Sequence, residues 1–169
     1  MPEVRHHVLI PVSAERAWDF IADVRHAPRW MFGVKQITGS LSPPLRQGDR
    51  LQIRLVAGGK FANSEWVIGE CERPRLVSST GHAMGASAVL RIECREVGPG
   101  ITEVTQSLTY QLPGGALGLL ASRFGVSGIM EMQAQRSLQA LRAILAESPG
   151  PDESEARNGG AQLGGAPES

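Results

Sequence analysis

From residue 34 to residue 111 the chain alternates between apolar and polar side chains with a period of two, run after run. "DRLQIRLV" puts Leu51, Ile53 and Leu55 on one side of an extended chain and Arg50, Gln52 and Arg54 on the other. "KFANSEWVIGECE" gathers Ala62, Ser64, Trp66 and Ile68. "SAVLRIECREV" sets Leu90, Ile92 and Cys94 against Arg91, Glu93 and Arg95. "TEVTQSLTYQL" sets Val104, Gln106, Leu108 and Tyr110 against Thr105, Ser107 and Thr109. "VKQITG" and the shorter, ambiguous "RLVSSTGHA" complete the series. Period two places successive side chains on opposite faces of a strand. The connections carry Gly and Pro at 58–59, 73–74 and 98–100, which suits consecutive antiparallel hairpins. Such a sheet has one wet face and one that must be covered.

The cover comes from both ends of the chain. After the strands, Met130, Ala134, Leu138, Leu141 and Leu145 form one apolar stripe at helical spacing. The segment before it, "GGALGLLASRFGVSG", is apolar, but Gly125 and Gly128 argue against an unbroken helix there. A loose turn or short helix is expected. Before the series, "VRHHVLI" is a further strand with Val4, His6, Val8 and Ile10 on one face, ended by Pro11. Ser13 is an N-cap, with Arg16 rather than Glu at the capping-box position. Ala17, Trp18, Ile21 and Ala22 follow at helical spacing, and His26, Ala27 and Pro28 open a second short turn ending near Gly33. The arrangement that buries all these faces is α+β: a seven-stranded, strongly curved antiparallel sheet wrapped round a long C-terminal helix. Two short helices sit between strands one and two. One domain spans 1–147. The remainder, 148–169, is rich in Gly and Pro, with four acids against one base, and is expected to be disordered.

The 17 basic and 17 acidic residues cancel, and no basic run stands out, so a nucleic-acid partner is not expected. No apolar run approaches the length of a membrane span. No signal-peptide pattern opens the chain, and a cytoplasmic location is expected. Cys71 and Cys94 match no metal-binding spacing and read as reduced thiols within strands. No P-loop or dinucleotide fingerprint is present, and "GVSG" at 125–128 lacks the second glycine of a nucleophile elbow because Ile129 follows. No metal and no cofactor are expected.

"VLIPVSAERAWDFIADVRHAPRWMFGVKQI" resembles the opening of the polyketide cyclase/dehydrase branch of the START-like, Bet v 1-like superfamily. The landmarks are Pro11 to Ala14, Trp18 with Asp19, Asp23, and Pro28 to Trp30. "LRQGDRLQIRL" resembles the family's Gly-then-charged start of its third strand, and "ECERPRLVSST" its turn between strands four and five. "GGALGLLASRFGVSGIMEMQAQRSLQALRAILAE" resembles its closing helix. The resemblance covers roughly residues 4 to 147. It implies a helix-grip fold around an apolar cavity that binds hydrophobic small molecules such as lipids, quinones, steroids or polyketides. Some members cyclise, aromatise or dehydrate. The matched landmarks are structural and carry no catalytic set.

If the face bearing Leu90, Val104 and Leu108 is concave, Gln106 and Tyr110 point inward with it. A polar group on an apolar face needs a partner, which a ligand can supply. Tyr110 could donate to a carbonyl or phenolate. His6 could act as a general base, whereas His7 must point the other way. These three, Tyr110, His6 and Gln106, are the candidate catalytic residues, each with packing as its plainer role. Trp66, Leu90, Ile92, Leu108 and Met130 are candidate lining residues, with Arg123 and His82 at the rim. The expected function is a cofactor-independent cyclase or dehydratase acting by aldol-type closure or loss of water, in secondary metabolism. The alternative is a non-catalytic carrier for a quinone, lipid or other apolar metabolite. A homodimer is possible on either reading.

Overall fold

The computed structural model describes residues 2–57, 59–83, 85–114 and 125–147. The seven expected strands form: β1 (Glu3–Ile10), β2 (Val34–Gly39), β3 (Arg50–Ala57), β4 (Lys60–Glu72), β5 (Leu76–Ala83), β6 (Ala86–Gly98) and β7 (Ile101–Gln111). They make one antiparallel sheet in the order β1-β7-β6-β5-β4-β3-β2. Every neighbour pair but one is a hairpin of consecutive strands. The exception is β1 on β7, which brings the start of the chain against its last strand. Helices α1 (Ala14–Ala22) and α2 (Ala27–Trp30) lie between β1 and β2, joined by a 3-10 turn at Val24–His26. The closing helix α3 runs Val126–Glu147.

Local signals explain the elements. Ser13 caps α1 by accepting from the Arg16 main-chain N–H at 3.3 Å. Asp23 ends α1 and caps the 3-10 turn through the Arg25 N–H. Gly33 turns the chain into β2 at a φ of 89°. Gly128 is helical: it falls in the first turn of α3, where a glycine loosens little. Gly125, just before, has a positive φ of 74° and starts the helix abruptly. The tail from residue 148 and the segment 115–124, Arg123 included, lie outside the described residues.

Trp18 and Trp30 anchor the short helices in the main core. Trp18 is buried and donates its indole N–H to the Leu76 carbonyl at 3.1 Å. Trp30 is buried, and its Nε1 has no partner among the described residues. The main core joins these to Ile10, Leu51, Ile53, Ile92, Val104, Leu138, Leu141 and Leu145. Ser137, which the apolar stripe of α3 does not mark, is also buried. Its hydroxyl donates to the Gln133 carbonyl at 2.7 Å and accepts from the Phe32 N–H at 2.8 Å, tying α3 to the turn after α2.

The outer face departs from the expected wet surface in its middle. Thr105 and Ser107 are buried there. Their cross-strand neighbours are His7 and Arg5 on β1 and Glu93 and Arg91 on β6. The register thus sets these short hydroxyls between long side chains on both sides, whose stems can cover them. Arg91 pairs with Glu70 at 2.6 Å, and Arg95 with Glu103 at 2.8 Å. The Arg95 guanidinium holds the Glu103 carboxyl below the usual range. Both cysteines are free.

Candidate functional site

Cross-strand register fixes which side chains share the inner face. Val4 faces Leu108, and Leu108 faces Leu90. His6 faces Gln106, and Gln106 faces Ile92. Trp66 faces Gly81, Gly81 faces Ala88, and Ala88 faces Tyr110. Directly opposed residues project to the same side, so Trp66, Leu90, Ile92, Gln106, Leu108, Tyr110 and His6 share one face. It is the face that carries the core and receives α3. A β-bulge between Ile68 and Cys71 shifts the parity of β4, which brings Cys71 opposite Val77. Gly69 makes room for the Ser78 hydroxyl there, and that hydroxyl accepts from the Glu70 N–H at 2.9 Å.

Packing on the inner face falls into two clusters. The main core occupies the end near Ile10 and Val104. A second, small cluster of Val4, Tyr110 and Ala134 holds the first turns of α3, with Met130 and Leu112 packed against it. Between the two, β1 carries His6, and β7 carries Gln106 and Leu108. Leu108 is inward and half-buried and belongs to neither cluster. His6, Leu90 and Trp66 are also half-buried. Inward apolar groups left partly uncovered are what a ligand-binding face presents.

Gln106 is 6% exposed, and its Oε1 is a buried acceptor with no hydrogen-bond partner among the described residues. Such a group carries a desolvation cost of about 1–3 kcal/mol. Its cross-strand partner His6 lies about 5 Å away, Cα to Cα, so a basic ring and an unpaired acceptor stand side by side. Tyr110 is four residues further along β7, about 14 Å from Gln106 at 3.4 Å per residue. It is packed against Val4 and Ala134. The three candidate catalytic side chains thus share a face, but only His6 and Gln106 are neighbours.

His82 stands apart from this set. It is exposed and faces Glu65 across the β4–β5 pair, one position out of phase with Trp66 and Gly81. It lines an open cleft of about 430 Å³ with Gln52, Asn63, Glu65 and Ser87. A second cleft of about 530 Å³ beside it is lined by Gln36, Thr38, Arg54 and Phe61. His82 therefore lies on the outer side of the sheet, a position that its place near a glycine turn did not reveal. The described residues contain no group of three His, Cys, Asp or Glu side chains able to hold a metal. Burial pushes the Cys94 thiol up to about 12, and Cys71 is raised by burial and by Asp49.

A family model described as polyketide cyclase / dehydrase and lipid transport matches residues 1–146. The chain belongs to this family. Solved structures share its fold at low identity. A protein from Thermus thermophilus is 22% identical with a TM-score of 0.71, over 87% of this chain and 100% of that one. The Zhui aromatase/cyclase of Streptomyces sp. R1128 is 14% identical with a TM-score of 0.70, over 94% and 98%. A START superfamily protein from Mycobacterium smegmatis is 13% identical with a TM-score of 0.63, over 85% and 96%. No curated protein matched the sequence. The seven-stranded sheet with its closing helix is the helix-grip fold, shared with the START superfamily protein. No described helix is long and apolar enough to cross a membrane.

Proposed function

We propose that the protein binds a hydrophobic small molecule between the inner face of the sheet and α3, and acts on it as a cofactor-independent cyclase or dehydratase. The observation that carries this reading is the partly uncovered apolar floor around one buried, unpaired acceptor, Gln106 Oε1. A ligand hydroxyl or enol donating to that oxygen would remove its desolvation cost. The neighbouring His6 then stands where a base could take a proton α to a ligand carbonyl. Ring closure or loss of water needs nothing further than proton transfers on a correctly folded substrate. The aromatase/cyclase named among the structural neighbours supports this choice of chemistry.

A carrier without chemistry is the second reading. It is favoured by Tyr110, which packs in a small core cluster far along β7 from Gln106 rather than joining a compact catalytic set. Native mass spectrometry of the purified protein, followed by turnover assays on poly-β-ketone analogues, separates the two. His6→Ala is expected to abolish product while ligand stays bound. Ligand retained with no turnover by the unaltered protein leaves the carrier reading. No apolar ligand bound at any concentration overturns both.

A further inference from the structure

The inner face holds a tryptophan that is fixed in place but not buried. Trp18 and Trp30 are 5% and 2% exposed, and packing accounts for their bulk. Trp66 is only half-buried, although it faces inward. Two neighbours, Gly81 and Ser64, hold its indole. Opposite it on β5 is Gly81, where a methyl group would overlap Cε2, Cδ2 and Cζ2 of the indole. Cε2 has ring or nitrogen neighbours on every side within the plane. Only a point above the plane can approach it and both of those carbons together. The indole therefore lies face-on over the Gly81 α-carbon. A Cβ bond stands roughly perpendicular to its sheet, so the ring that crosses this direction lies flat on the strands. Its Nε1 donates to the Ser64 hydroxyl at 2.9 Å, and that hydroxyl donates to the Ile53 carbonyl at 3.2 Å. Ser64 is itself buried.

One ring face is thus pressed on glycine and the polar edge is tied down. The ring also packs against the main core, and its half-burial leaves part of it exposed on the inner face. The next residue in the same row is Ala88, whose small side chain extends the level floor toward β6. We propose that Trp66 is a stacking platform that selects flat, conjugated ring systems over flexible acyl chains, with Gly81 and Ser64 as its positioning residues. This rests on the reading of the inner face as a ligand site and names the class of ligand. A held ring contributes its whole face without losing rotamer freedom on binding, and a planar ligand returns an offset-stacked contact. An acyl chain gains only ordinary burial from the same surface.

The test compares two carboxylates of similar size, 2-naphthoate and decanoate, by isothermal titration. The unaltered protein is expected to prefer 2-naphthoate. Trp66→Leu should weaken 2-naphthoate about tenfold, the ratio that roughly 1.4 kcal/mol of stacking represents, and leave decanoate unchanged. Ser64→Ala frees the indole without removing it. It should weaken 2-naphthoate several-fold, again sparing decanoate, and it decides the matter if Trp66→Leu does not fold. Equal losses for both probes, no loss for either, or a preference for decanoate overturns the platform while the ligand site stands. If the unaltered protein binds neither probe, the ligand site falls and the platform with it.

Discussion

At the scale of single residues, the glycine under Trp66 makes the sharpest demand. Gly81→Ala puts a methyl group into the indole face, and the ring must leave its place. Overpacking of this kind costs about 1–3 kcal/mol, so a lowered thermal midpoint is expected, and an unchanged midpoint would show that the ring is not held there. Cys94 makes a second demand. Its thiol is raised to about 12 by burial, and the thiolate is the reactive form. Dithionitrobenzoate at pH 8 should leave Cys94 untouched until denaturant is added. The folded protein holds this proton more tightly than the unfolded chain does. Stability is therefore full below the ordinary thiol value of 9.0 and declines as pH rises toward 12. The slope is about 1.4 kcal/mol per pH unit, and Cys94→Ala should remove it from an alkaline titration of urea unfolding. Neither property shows in the sequence. Alternation assigned Trp66 and Cys94 to the inner face, but the glycine contact depends on which β5 residue stands opposite, and that is a matter of register.

At the scale of elements, the strands and their faces were legible because each alternates over enough residues for the period to declare itself. What alternation could not give was the bulge in β4 and its change of parity, or the side of β5 on which His82 projects. It also marked Thr105 and Ser107 as wet, when both are buried between longer cross-strand neighbours. In the helices, the apolar stripe located α3 but passed over Ser137, whose burial follows from a partner distant in sequence. The corner between α1 and α2 was legible as a break and silent as a charge cluster. Asp23 there accepts from the Arg25 guanidinium and main-chain N–H. Chiefly through that guanidinium bond, its carboxyl is held below the usual range. Since the native value is lowered, the contribution is complete above the ordinary carboxylate value and disappears as pH falls through the native one. Asp23→Asn should lower stability at pH 7 and converge with the unaltered protein as pH falls through the lowered native value. A constant difference across acid unfolding curves would show that the corner does not depend on the charge.

At the scale of the whole molecule, the order of elements was enough to specify the grip, since only a curved sheet around α3 covers every apolar face. The site was less legible. Sequence placed seven candidates on one face correctly as to side, and the four-residue spacing already set Tyr110 far from Gln106 along one strand. It could not show that Gln106 Oε1 has no partner among the described residues, which depends on what packs over the strand. The uneven burial of the tryptophans has a practical consequence for anyone observing the protein in solution. Of its three tryptophans, Trp18 and Trp30 are sealed in the core and Trp66 is half-buried on the inner face, where the proposed guest would lie. Intrinsic emission is therefore already partitioned, a steady signal from Trp18 and Trp30 and a responsive one from Trp66, so occupancy of the grip can be followed by light without attaching any dye.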